Sequence, residues 1–242
     1  MRDANLIAAK ILNEVGEHIS AGSTTMALED VALNLCKQYG VEPAFKGYQG
    51  FPYALCISVN EEIVHGFPSE RCLEDGDIVS VDFGVKYQNF YGDTAKTFPV
   101  GSVDEGAAHL LEVTFNSLYK GIEQAVPGND LYDISRAVQE CVQAEGFFIV
   151  RRFVGHGIGR KLHEKPEVPN FVPAGCVRMP LKPGMVIAIE PMVAVGSEEV
   201  EILSDGWTAV TKDRSLAAHF EHTVAITTNG PVILSSLDEF SD

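Results

Sequence analysis

Two carboxylates eleven residues apart, Asp82 in DGDIVSVDFGV and Asp93 in NFYGDTAKTF, are the first residues in this chain that point to chemistry. Asp82 stands in a run that reads as a buried strand, where a carboxylate is costly unless it is paired, hydrogen-bonded or bound to metal. Residues flanking the turn of an antiparallel pair sit side by side on one face. The return of the chain after Gln88 and Asn89 therefore brings Asp93 toward Asp82. Later, Glu190 of LKPGMVIAIEPMV is answered by Glu221 of AAHFEHTVAI, with His222-Thr223 following Glu221 as Thr94 follows Asp93. Between the two pairs lies FVGHGIGRKLHEKP, which carries His156 and His163 seven residues apart and a glycine on each side of His156. Glycine lets a backbone bend tightly and approach closely, which suits aiming an imidazole into a site.

Four carboxylates and one imidazole suit divalent ions. Oxygen and nitrogen ligands point to Mn, Fe, Co or Zn rather than copper or a cysteine-bound zinc. Four acids over-charge a single ion, whereas two ions about 3.5–4 Å apart balance them and hold a bridging hydroxide. The expectation is a dinuclear hydrolase. Taken singly, each residue has a blander meaning: a lone strand acid is most often capped or ion-paired, and a lone histidine is usually a satisfied surface or core residue. The order of all five in one chain weakens that alternative.

Elements must hold these residues. Helical periodicity marks Asn5–Ile19, and a second helix runs from the N-cap candidates Thr24 and Thr25 to a stop at Gly40. Short β-like runs follow at Ala54–Val59, Asp77–Val85 and Thr94–Phe98, then helices near Asp104–Val126 and Asn129–Glu145, with strand-like segments in most of the rest. Helices then strands, twice over, predict an α+β fold with an antiparallel sheet rather than βαβ units. Gly22–Gly40 aligns with Gly128–Gly146 at an offset of 106 residues, and LEDGDIVSVDFGV (Leu73–Val85) with LKPGMVIAIEPMV (Leu181–Val193) at 108. Asp82 then falls on Glu190. The chain reads as one domain over 1–242 with two pseudo-symmetric halves, about 1–103 and 104–242, that face their acids across a pseudo-twofold axis.

Composition agrees. The 242 residues are 45% hydrophobic, enough for a sizeable core, and 18 basic against 34 acidic residues give a net charge of −16. That balance argues against nucleic acid or an anionic membrane as partner, since both reward basic surface. No secretory signal or span of about 20 apolar residues is legible, so a cytoplasmic protein is expected. Five scattered cysteines without CxxC spacing read as reduced thiols.

The ordered motifs HGFP (His65–Pro68), VDFG with Asp82, YGDTAKTF with Asp93, GHGIGRKLHE with His156 and His163, IEPM with Glu190 and FEHTVAIT with Glu221 closely resemble type I methionine aminopeptidase. The resemblance covers about Ile7 to Leu234. It implies the pita-bread fold and a metallo-exopeptidase that removes N-terminal methionine ahead of a small second residue. It puts Asp82 on one metal, Asp93 and Glu221 bridging two, and His156 and Glu190 on the second. His65 and His163 match the family's substrate-contacting histidines, with His163 facing the developing oxyanion and His65 near the scissile nitrogen; Glu190 would also shuttle the proton of the attacking water. Tyr48, Phe51, Cys56 and Trp207 match the walls of the methionine pocket. Phe45 and Leu162 depart from the family's usual cysteine and aromatic at those positions. The implied partners are nascent polypeptide N-termini, with transient ribosome contact, on a monomer. The resemblance further implies a bacterial-style minimal form, without the zinc-binding N-terminal extension of eukaryotic relatives or the helical insertion of type II enzymes. Two rivals share the fold: an Xaa-Pro aminopeptidase or prolidase, and a non-catalytic binding protein that has lost ligands.

Overall fold

A computed structural model describes residues 1–237. The last residues of the expected second half, 238–242, lie outside the described residues. Helices α1 (Arg2–Gly16), α2 (Thr25–Tyr39), α3 (Glu105–Glu123) and α4 (Leu131–Ala144) pack against a nine-stranded sheet whose pairings are all antiparallel. Its site-bearing strands are β1 (Leu55–Val59), β2 (Ile78–Tyr87), β3 (Phe90–Pro99), β4 (Gly155–Gly157), β5 (Val186–Ile189) and β6 (Glu221–Thr227). β1 pairs with β2, and the order then runs β2, β3, β6, β5, β4. This is the expected α+β architecture.

Local chemistry accounts for the element ends. Gln88 and Asn89 both take positive φ, 49° and 64°, the conformation of a two-residue hairpin turn whose twist matches its strands. That turn makes β2 and β3 one continuous hairpin, longer than the strand expected from Thr94 alone. Thr24 caps α2 by accepting from the Ala27 N–H at 3.1 Å, and Gly40 stops it in the left-handed region. α1 ends at Gly16, short of the expected Ile19, and a Cβ at Gly16 would meet the Phe98 ring at 2.5 Å. The helix end is thus packed against β3, and i→i−3 bonds from His18 and Ile19 lead the chain away.

The duplication is visible in the backbone. Gly22 and Gly128 share φ 91°, and Gly76 and Gly184 have φ 96° and 94°. The Gly22 N–H bonds the Leu73 carbonyl and the Leu181 carbonyl receives the Gly128 N–H, as the two alignments require. Leu28 and Ile134, matched by sequence, anchor separate apolar cores in the two halves.

The register of the acids differs from the sequence expectation. Val81 opposes Lys96, and its counterpart Ile189 opposes His222, so β3 and β6 correspond at an offset of 126 residues. Glu221 therefore corresponds to Ala95 rather than Asp93, and Asp93 corresponds to His219. Glu221 also pairs directly with Ala95 where the halves join, which puts the pseudo-twofold axis through that pair. Two threonines related by it bond reciprocally. Thr97 Oγ1 donates to the His219 carbonyl and Thr223 Oγ1 to the Asp93 carbonyl, each at 2.8 Å.

Candidate metal centre

Asp82 opposes Cys56 on one side and Ala95 on the other, in the middle of three paired strands. Asp93 stands two residues before Ala95 on β3, and Glu221 opens β6 opposite Ala95. Glu190 follows directly on β5, where Pro191 interrupts the strand, and its backbone carbonyl accepts from the Asn170 amide at 3.0 Å. His156 is the middle residue of β4. A Cβ at Gly155 would lie 2.3 Å from the Ala188 carbonyl oxygen, and one at Gly157 would lie 2.4 Å from that of Lys165. Both flanking glycines are thus required by close backbone approach, as their pattern suggests.

The donor atoms converge. Ligand atoms of Asp93, His156 and Glu221 all lie within 4.8 Å of one another. His156 Nε2 is 3.9 Å from Asp93 Oδ2 and 3.5 Å from Glu190 Oε1. Its Nδ1 is 3.0 Å from the Gly157 carbonyl, a partner that can only accept. Nδ1 therefore carries the proton, and Nε2 presents its lone pair to the acids.

Four acids crowded out of water cannot all stay ionised unaided. Burial raises Asp82, Glu190 and Glu221 well above the usual carboxylate range, and the neighbouring carboxylates push them the same way. Asp93 is pushed up by burial to about 7. Among the described residues, Asp82 Oδ1, Asp93 Oδ1 and Glu221 Oε1 are buried without any hydrogen-bond partner, a rare condition for polar atoms in a folded protein. Burial holds His156 down at about 4, in the neutral form that a metal ligand needs. Orphaned oxygens, depressed imidazole and hard O/N donors together fit divalent cations.

All eleven site residues named from the sequence line one cavity of about 240 Å³. Tyr48, Phe51, Cys56 and Trp207 form its apolar side, with Phe45 and Leu162 beside them. Trp207 meets Phe51 edge-on at 5.2 Å between centroids. Burial raises the Cys56 thiol well above its ordinary value, with Asp82 adding to it, so Cys56 is a neutral wall rather than a nucleophile. His163 Nδ1 lies 2.8 Å from the Tyr48 hydroxyl, and its ring stands edge-on to His156 at 4.3 Å. His65 adopts φ 60°, an uncommon conformation for a non-glycine residue and one that clusters at functional sites. Phe153 and Trp207 bracket its ring, and burial lowers it to about 4.

Sequence reasoning missed other neighbours, three of which bear on the site. Phe153 and Met192 also line the cavity; Phe153 lies just before the HGIG motif and Met192 closes IEPM, and neither apolar side chain carries a chemical signal of its own. The third, His219, is buried beside Glu190, with its Nε2 3.7 Å from Glu190 Oε2. Its signal was the shared threonine register of Thr97 and Thr223.

A curled antiparallel sheet, duplicated about a twofold and carrying a cluster of four buried or half-buried acids and a buried histidine, defines a metallopeptidase of pita-bread type. The chain belongs to metallopeptidase family M24, whose profile matches residues 1–228. It is 52% identical over 236 residues to the methionine aminopeptidase of Clostridium perfringens (strain 13 / Type A), covering 97% of this chain and 94% of that one. The crystal structure of methionine aminopeptidase from Thermotoga maritima superposes with a TM-score of 0.95 at 48% identity, covering 98% of this chain and 95% of that one. Within the family, this chain's place is thus among the type I, bacterial-like methionine aminopeptidases. A prolidase from Pyrococcus horikoshii OT3 has the same fold at a TM-score of 0.79, but only 26% identity, and the match spans 60% of its chain.

Proposed function

We propose that this protein removes the N-terminal methionine from nascent polypeptides and peptides, favouring a small second residue, as a single domain over 1–242. The observation that carries the proposal is one cavity with an oxygen- and nitrogen-rich cluster at one end and an apolar, aromatic wall at the other. A thioether side chain suits such a wall, because sulfur packs well against aromatic rings.

In this reading Asp82, Asp93, His156, Glu190 and Glu221 would hold two divalent ions, Co, Mn, Fe or Zn. Ions bound there supply Lewis acidity and lower the pKa of the attacking water. The protein's own groups do the rest. Tyr48 hydroxyl, donating to His163 Nδ1, leaves the Nε2–H of His163 to donate to the peptide carbonyl oxygen as negative charge develops there. His65, kept neutral by burial, donates a hydrogen bond near the scissile nitrogen and so helps orient it for protonation, the proton being the one that Glu190 takes from water. Glu190 takes up the proton of the attacking water, and Tyr48, Phe51, Cys56 and Trp207 orient the methionine side chain.

Among the described residues no helix is long and apolar enough to cross a membrane. We further infer a cytoplasmic monomer that meets its substrates by transient contact with the ribosome; the net charge of −16 supports protein rather than nucleic acid as substrate. Turnover of Met-Ala-Ser against Ala-Pro peptides, measured together with bound metal, tests the function. Release of methionine from Met-Ala-Ser with two ions per chain is expected. Cleavage of the Xaa-Pro peptide alone would sink it.

A further inference from the structure

His219 has no role in the chemistry above, yet its surroundings are constrained. It is 1% exposed, and neither ring nitrogen has a hydrogen-bond partner among the described residues, although buried polar groups nearly always find one. Its backbone is held from both directions by one side chain. Thr97 Oγ1 accepts from the His219 N–H at 2.9 Å and donates to its carbonyl at 2.8 Å. The ring therefore cannot drift along the strand Ala217–His219. Its Nε2 faces Glu190, whose two oxygens face different imidazoles. Oε1 lies 3.5 Å from His156 Nε2, and Oε2 lies 3.7 Å from His219 Nε2. The twofold relates His219 to Asp93, so it occupies in the second half the place that a candidate ligand occupies in the first.

We propose that His219 is the positioning residue of Glu190: its Nε2–H donates to Oε2 and leaves Oε1, beside His156, as the oxygen that faces the metal. The separation is longer than a formed hydrogen bond, a gap that a small rotation of the Glu190 carboxylate spans. Partners of this kind fix the orientation of a ligand, and their loss typically costs about 10–100-fold in metal affinity or activity. The proposal rests on the reading of Glu190 as a ligand. It assigns a function to an imidazole that packing alone would exchange for an apolar side chain of similar size.

Isothermal titration of Co(II) into the metal-stripped full chain, followed in parallel by the Co(II) absorption bands, tests it with three variants. His219→Leu should weaken the binding of one ion by about 10–100-fold, shift the bands and lower kcat with KM little changed. His219→Gln keeps an N–H donor and should restore most of both. Glu190→Gln should weaken the same ion. His219→Leu with wild-type binding, beside a weakened Glu190→Gln, would overturn the positioning role while the ligand reading stands. Equal losses in His219→Leu and His219→Gln would likewise overturn it, since packing alone predicts that result. Full binding in Glu190→Gln would remove the ligand reading, and the positioning role with it. One measurement needs no stable leucine variant: ¹⁵N-histidine spectra of the wild type should show His219 protonated on Nε2, and protonation on Nδ1 would contradict the proposal.

Discussion

Asp82 shows how much one residue type in one place can say. Strand β2 is buried along most of its length, and an acid placed there has no cation partner among the described residues. Its Oδ1 is left without a hydrogen bond from any described residue. An oxygen so placed costs about 1–3 kcal/mol or more if nothing meets it, and a bound cation would meet it. Asp82→Asn keeps the shape and removes the charge. Because outer partners of metal ligands typically cost about 10–100-fold, removing a ligand charge should cost kcat/KM at least about 100-fold. The same variant should hold less metal by elemental analysis. Full activity at full metal content would contradict the ligand assignment.

At the level of elements, what the sequence could reveal depended on how each pair of strands is joined. β2 and β3 are joined by a two-residue turn, so counting outward from Gln88 and Asn89 fixes their register, and Asp93 is correctly brought to the site. β5 and β6 are separated by the whole excursion from Glu190 to Phe220, so no turn sets their register and similarity alone has to supply it. The similarity that aligned Asp93-Thr94 with Glu221-His222-Thr223 was two residues out, which preserves the face of the strand because side chains alternate with period two. Glu221 was therefore found in the right place for an inexact reason, and His219, the true counterpart of Asp93, was overlooked. The glycines around His156 were legible because close approach excludes every larger residue. Gly157→Ala would set a Cβ 2.4 Å from a backbone oxygen that cannot swing away. Overpacking of that kind costs about 1–3 kcal/mol, or roughly 2–12 °C in a domain of this size, with His156 displaced and metal content reduced. Gly106→Ala, near the start of α3, meets only the Asp104 side chain at 3.3 Å and should be close to neutral. Equal melting temperatures for the two variants would contradict the packing argument.

Over the whole molecule, the centre concentrates acid where folding can least accommodate it, and this makes stability, pH and metal interdependent. Asp93 has an ordinary value of 3.8 and is raised by burial to about 7, and Asp82, Glu190 and Glu221 are raised as well. A carboxylate raised on folding contributes stability that is full below its ordinary value and lost as pH rises through its folded value. The histidines have the opposite sign. Burial lowers His65 and His156 from 6.5 to about 4 and His219 to about 3. Their contribution is full above 6.5 and is lost as pH falls toward those lowered values. Between pH 4 and 6.5 the two groups oppose each other. Above 6.5 the histidines add nothing further, and the acids continue to lose their protons, so the metal-free protein should weaken from pH 6.5 to about pH 8. A divalent ion held by these acids would take the place of those protons and should bind more tightly over the same interval. Metal at about 100 times its dissociation constant stabilises a protein by about 2.7 kcal/mol, worth roughly 5–11 °C here. With Mn(II) fixed at that excess for pH 6.5, the rise in melting temperature over chelator-treated protein should grow at about pH 8. A rise that is equal at the two pH values, or smaller at the higher one, would mean that the ion does not replace protons on these four acids.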